Sequence, residues 1–425
     1  MLKITAKFLS WIGRATGTDM NYLTKGGGWL FVGQIVSILL SLVLTLAFAN
    51  LLSPEIYGTY RYLISIMSIV GIFTITGLTN SLTQSISRGF FTSMKRGFDL
   101  QKKWIFVPIF VTSFLSLYYY LQGNLVLAKC LVIVLIIFPA YKTFSLFDSY
   151  LVGKKDFKTK TLYGVLQNLI NTIAPLVCLY LTDNIYVIVF VYLLTLFVPS
   201  FIFFKKTLKD SLVLSETNKA EDKNLEENSF HLSFLNGIGK IATEIDKILI
   251  FHYLGPVKLA IYSFASAPIT KAEGSLLMVR DLILPKISLR TPEELKNTLP
   301  KKIFIFSLLI VPMIVLYMAL SPFLFQYLLP NYMESIIYTK YLSISLIFAL
   351  PILVLNQTLI AQMQKRGLYT TRVLSPAIKI ALMAFLIPRF DIFGAVLSVI
   401  LGSIANIFIL IYLFRNMKDS ILTNT

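Results

Sequence analysis

Residues His231–Leu254 read HLSFLNGIGKIATEIDKILIFHYL. The stretch is long enough to cross a bilayer, which takes about 20 apolar residues in a helix, and it ends in an apolar run. Yet it carries Lys240, Glu244, Asp246 and Lys247. At helical spacing Asn236, Lys240, Thr243, Glu244 and Lys247 fall on one polar stripe, with Asp246 bordering it. A charge at mid-bilayer costs roughly 2.5–3.5 kcal/mol on insertion scales. Four of them demand a protein-lined or watery interior. The plain alternatives are ion pairs inside a bundle or a helix lying on the membrane surface. The sharper reading, adopted here, is the wall of a polar cavity through which hydrophilic cargo passes.

The rest of the chain agrees with a membrane setting. Of its 425 residues 56% are hydrophobic and only 14% charged, against about 25% charged in soluble domains. Apolar runs recur at 28–51, 62–84, 104–122, 126–146, 161–181, 184–204, 232–254, 259–284, 303–321, 336–362, 371–388 and 392–414. This predicts an all-α membrane protein of about twelve transmembrane helices. Prolines inside the runs, such as Pro139, Pro175 and Pro312, predict bent helices. The net charge of +18 does not point to nucleic acid, because the basic residues sit between apolar runs. They crowd the N-terminus, alternate loops and the tail, while the opposite segments hold Arg61, Lys129, Lys258, Lys340 and Arg389. The positive-inside rule then predicts that both termini are cytoplasmic. Cys130 and Cys178 lie in apolar runs and read as buried spectators rather than a disulfide.

The expected organisation has five parts. Residues 1–27 form a cytoplasmic segment, either a short amphipathic helix on the membrane surface or a disordered tail. An N-lobe of six helices covers 28–204. The polar, mixed-charge stretch 205–231 is a solvated linker. A C-lobe of six helices covers 232–414, and 415–425 is a cytoplasmic tail. The lobes look like an internal repeat. Leu52-Ser53-Pro54-x-x-x-Gly58-x-Tyr60-x-Tyr62 matches Leu254-Gly255-Pro256-x-x-x-Ala260-x-Tyr262-x-Phe264 at a constant offset. Six helices per lobe give both lobes one orientation, hence a pseudo-twofold along the membrane normal, as in parallel-repeat transporters.

Further charges lie in or near the predicted spans: Lys271, Glu273 and Arg280 in the eighth, Lys379 in the eleventh, Lys142 in the fourth, and Arg61 and Arg88 at the two ends of the second. Arg280 and Lys142 also suit snorkelling to the interface, and Arg61 and Arg88 suit topology anchors. Lys240, Lys247, Lys271 and Lys379 outnumber Glu244, Asp246 and Glu273. The slight cationic surplus fits an anionic substrate such as a phosphate, which ammonium groups bind by charge-assisted hydrogen bonds. The three acids are candidates for coupling to H⁺ or Na⁺. No phosphate-binding loop, nucleophile elbow or Cys/His metal pattern is present, and His231 and His252 stand at opposite ends of one span. No metal, cofactor or catalytic residue is expected, and without a nucleotide site transport must be gradient-driven or equilibrative.

The run GGGWLFVGQIVSILLSLVLTLAFANLLSPEIYGTYRYLISIMSIVGIFTITGLTNSLTQSISRG, and above all Leu51-Leu52-Ser53-Pro54-x-x-Tyr57-Gly58-x-Tyr60, resembles the opening of the polysaccharide-transport family. So does ATEIDKILIFHYLGPVKLAIYSFA in the second half. These are the Wzx-type oligosaccharide flippases of the multidrug/oligosaccharidyl-lipid/polysaccharide exporter superfamily. The resemblance implies a bacterial inner-membrane protein that moves undecaprenyl-pyrophosphate-linked sugar repeat units of O-antigen, capsule or exopolysaccharide to the outer leaflet by alternating access. Membrane lipids and other polysaccharide-assembly proteins are its implied partners. It supplies no fixed substrate residues, so the candidates remain the cations Lys240, Lys247, Lys271, Lys379, Arg61, Arg88, Lys142 and Arg280, and the acids Glu244, Asp246 and Glu273. The competing readings are a cation-coupled drug exporter, which calls for an acidic cavity, and a lipid II flippase, which commonly has two more spans. A membrane polymerase or ligase needs a large outward catalytic loop, and the outward segments here are short.

Overall fold

A computed structural model describes residues 20–217, 222–288, 290–362 and 364–417. The segment 1–19, where a surface helix is expected, and the tail from 418 onward lie outside the described residues.

Every regular element among the described residues is helical. Nine helices are long and apolar enough to span a membrane, and the bent pair Ser335–Ser343 and Leu346–Ala361 adds a tenth. Two of the long helices each hold two spans. Leu225–Ser288 breaks at Gly255 (φ 84°) and Lys365–Arg415 at Asp391 (φ 57°). The described chain thus has the twelve expected crossings.

Local chemistry sets the boundaries. Ser53 and Pro54 open Pro54–Val70: the Ser53 hydroxyl accepts from the Ile56 amide and Pro54 takes the first helical position, where a missing N–H costs nothing. Asn124 caps Leu125–Phe144 and Asp156 caps Phe157–Leu181 through their side-chain oxygens. Thr291, Pro292 and Glu294 start Pro292–Leu328 about a dozen residues before its apolar run, so this helix outlasts the span expected at 303–321. The sixth helix likewise runs on to Thr217 and the next begins at Leu225. Most of the expected linker is therefore helical.

The chain divides into two compact units, residues 1–51 with 67–237 and residues 52–66 with 238–425. Both differ from a division at the linker: Leu52–Ile66 clusters with the C-terminal unit, and the opening of Leu225–Ser288, up to Gly237, with the N-terminal one.

In the first unit, the span expected at 62–84 is interrupted by a 3₁₀ turn, Gly71–Thr74, and by Ile75 at φ 51°. Gly77 follows with no room for a Cβ beside the Ser229 carbonyl and the Ser233 amide, and its own amide donates to the Ser233 hydroxyl. An apolar cluster including Leu78, Leu82, Tyr150, Phe203, Phe204 and Leu225 closes this end of the unit.

In the second unit, a cluster including Ile287, Leu295, Leu355, Leu410 and Phe414 forms one core. Lys258 bridges Glu334 at 3.0 Å and Asp391 at 3.4 Å, tying three inter-helix turns together. Phe304, Leu308, Leu309 and Met313 of Pro292–Leu328 are exposed, as suits a face toward lipid.

Candidate functional site

The charged residues of the helix before Gly255 divide between two environments. Lys240 and Thr243 are exposed, and Glu244 and Lys247 are partly buried. Lys247 pairs with Glu244 at 2.7 Å, both side chains less than one-fifth exposed, and also reaches the Thr243 carbonyl at 3.4 Å. This is an i,i+3 pair within one helix turn.

Asp246 leaves the stripe. It is buried, at 8% exposure, and both its oxygens are engaged. Oδ1 accepts from the Lys247 amide at 2.9 Å, and Oδ2 accepts from the Tyr262 hydroxyl at 3.0 Å. Tyr262 itself is fully buried, within the buried run Leu259–Ala265. A polar group at this depth is tolerated only when hydrogen-bonded.

On the following helix Lys271 and Glu273 are exposed. Glu273 has Lys379, from the helix starting at Lys365, as its electrostatic partner. The aliphatic stem of Lys379 lies against Gly402 of the last helix, where an added Cβ would stand 3.5 Å away. The side chain of Arg280 lies outside the described ones.

The strand of chain from Leu52 to Ile66 forms one wall of this unit. Tyr57 stacks on Phe264 at 4.5 Å between centroids, Tyr62 stacks on Phe251 at 3.8 Å, and Tyr332 packs on Phe264 at 4.2 Å. Gly58 sits directly on the Pro256 carbonyl. Arg61 is partly buried between the buried Tyr60 and Tyr62 and acts electrostatically on Tyr57. Tyr332, in the short turn between two spans, has its hydroxyl pushed well above the usual tyrosine range by burial.

Two candidate cations belong to the first unit. Arg88 is exposed and its amide closes the helix Leu78–Ser87. Lys142 is partly buried, its ammonium 5.6 Å from the ring centres of both Phe138 and Tyr141. Both distances are within cation–π range.

The second unit thus contains Arg61, Glu244, Asp246, Lys247, Lys271, Glu273 and Lys379, of which it pairs Glu244 with Lys247 and ties Asp246 to Tyr262, with Lys240 on the open side of its helix. Tyr262 is the residue that the charge pattern misses. Its only signal in the sequence is its place in the repeated turn, opposite Tyr60.

Apolar helices long enough to cross a membrane, in two compact units with ionisable groups inside them, make this a polytopic helical membrane protein. A family model described as polysaccharide biosynthesis protein matches residues 23–289, well over half of the chain. The protein belongs to this family, and with it to the multidrug/oligosaccharidyl-lipid/polysaccharide exporter superfamily. Solved structures share the fold at low identity. The lipid II flippase MurJ, in an inward closed conformation, aligns with TM-score 0.65 and 14% identity over 92% of this chain and 87% of its own. An outward-facing multidrug resistance MATE family transporter aligns with TM-score 0.60 and 11% identity over 93% and 94%. A superfamily transporter from Pyrococcus furiosus, described as having a binding pocket of reversed polarity, aligns with TM-score 0.56 and 12% identity over 94% and 96%. No curated protein matches the chain.

Proposed function

We propose that the protein is a flippase for polyprenyl-pyrophosphate-linked oligosaccharides, the building units of an O-antigen, capsule or exopolysaccharide. It works in the cytoplasmic membrane of a bacterium with both termini inside. The observation that carries this reading is the shielded Glu244–Lys247 ion pair, with Lys379 acting electrostatically on Glu273, in a chain of a polysaccharide-biosynthesis family. Lys240, Lys247, Lys271, Lys379 and Arg61 supply cations for a pyrophosphate, with Arg88, Lys142 and Arg280 as further candidates.

The pairing gives a mechanism. An ammonium bonded to a carboxylate can be bonded to a pyrophosphate instead. Pyrophosphate taking Lys247 from Glu244 leaves a largely shielded carboxylate uncompensated, which favours its protonation. Substrate entry and proton uptake are then linked, and the coupling groups are Glu244, Asp246 and Glu273.

Complementation of surface glycan in a deletion strain tests the reading. Lys247→Gln, Lys379→Gln and Asp246→Asn are each expected to lose export at wild-type membrane levels. Normal glycan from all three would defeat it. Chemical analysis of the missing glycan would define the sugar.

A further inference from the structure

We propose that Tyr262 is the positioning residue of the coupling carboxylate, and that its hydrogen bond to Asp246 is the tie that protonation releases. The inference rests on the coupling role proposed for Asp246.

The two residues lie on either side of a helix break. Asp246 is on the helix before Gly255 and Tyr262 on the helix after it. Gly255 has φ 84°, the one non-helical residue of this long helix, and a Cβ there would meet nothing within 4 Å; the chain changes direction at this point. The bond of 3.0 Å between the Tyr262 hydroxyl and Asp246 Oδ2 joins the helices across that break. Tyr262 cannot follow Asp246 by itself, because Leu259 to Ala265 are all buried around it.

The charged neighbours are otherwise occupied. On Asp246's own helix Lys247 is engaged by Glu244. On Tyr262's helix Glu273 is an electrostatic neighbour of Tyr262 itself and of Lys379, on the helix starting at Lys365. The 52–66 segment carries Glu55, which is exposed, and Arg61, whose electrostatic neighbour is Tyr57. Among the described residues, the Tyr262 hydroxyl is the side-chain donor on Asp246. A hydroxyl donating to a carboxylate favours the ionised form. When a proton adds to the Asp246 carboxylate, the tyrosine keeps its own proton but loses its anionic acceptor. The tie weakens from a charge-assisted to a neutral hydrogen bond, and the two helices are held less firmly to one another across Gly255. Loss of the proton restores the tie.

The test uses the full-length protein in lipid nanodiscs and dicyclohexylcarbodiimide, which modifies protonated carboxyl groups within membranes. Labelling of Asp246 is read by peptide mass spectrometry as a function of pH, separately from Glu244 and Glu273. Tyr262→Phe keeps the ring and removes the hydroxyl. Its half-maximal labelling is expected at a pH about one unit higher than wild type, the order of change for one lost charge-assisted hydrogen bond. Matching wild-type and Tyr262→Phe curves would overturn the proposal, as would a wild-type Asp246 that is never labelled. Should Tyr262→Phe unfold, Tyr262→His, which retains a donor, is expected to label at lower pH than Tyr262→Leu, and equal curves would again overturn it. Export by Asp246→Asn separates the two levels. If that variant exports glycan normally, the coupling role of Asp246 falls. If it fails to export while the labelling curves coincide, only the role of Tyr262 falls.

Discussion

Gly58 rests on the carbonyl of Pro256, with no space between them for a methyl group. The two residues belong to the two copies of the repeated turn motif, Ser53-Pro54-x-x-x-Gly58 and Gly255-Pro256-x-x-x-Ala260. The repeat is therefore also a contact: the loop of one copy seats against the helix start of the other.

Gly58→Ala is expected to destabilise the protein by about 1–3 kcal/mol, the usual cost of overpacking against atoms that cannot move aside. Gly164→Ala is the control. It lies inside Phe157–Leu181 with nothing within 4 Å of an added Cβ, so a gain of roughly 0.5–1 kcal/mol is expected. Thermal unfolding in detergent measures both, and equal behaviour would show that the contact is not tight.

Much of this architecture is legible in the sequence. The apolar runs find the twelve crossings because hydrocarbon thickness fixes helix length. Helix ends are less legible, as the extension to Thr217 shows, because a helix continues past the membrane wherever water and neighbouring side chains still satisfy it. The polar stripe reads Lys240 and Thr243 as facing an open side, but periodicity cannot find the partner of Asp246. That partner is a tyrosine brought close by a fold-back at Gly255, and a hydroxyl among aromatics leaves no charge pattern. The membership of Leu52–Ile66 in the second unit is hidden for the same reason: it depends on Tyr57 and Tyr62 meeting Phe264 and Phe251, far along the chain.

The Glu244–Lys247 pair yields a second prediction. Glu244→Gln leaves an ammonium largely shielded from water with its partner removed, and stability is expected to fall by roughly 1–3 kcal/mol. The exchange Glu244→Lys with Lys247→Glu restores the pair, and its unfolding midpoint is expected to recover most of the loss. No recovery would mean that each side chain acts independently.

Tyr332 gives the opposite sign. Its hydroxyl is buried with no hydrogen-bond partner among the described residues, while its ring packs on Phe264 and Tyr57. Tyr332→Phe keeps the ring contacts and removes a desolvated polar atom, so stability is expected to hold or to rise by about 1 kcal/mol. A marked fall in the unfolding midpoint would reveal a role for the hydroxyl.

The charge distribution predicts orientation. Reporter fusions at Lys219 and after Thr425 are both expected to report cytoplasm, since basic residues crowd the segments on that side. A periplasmic or extracellular signal from either fusion would require a different span map.

The crossing of the chain between its units governs how such proteins can be recombined. The natural place to join halves of two relatives is the polar stretch near 218–221, where a swap disturbs no apolar run. A chimera made there would carry Leu52–Ile66 from one parent and the surface formed by Phe251, Pro256, Phe264 and Tyr332 from the other. The segment is a donated part, encoded with one half and fitted to the other. A functional hybrid must therefore inherit Leu52–Ile66 together with 238–425, even though the whole of 67–237 separates them in the gene.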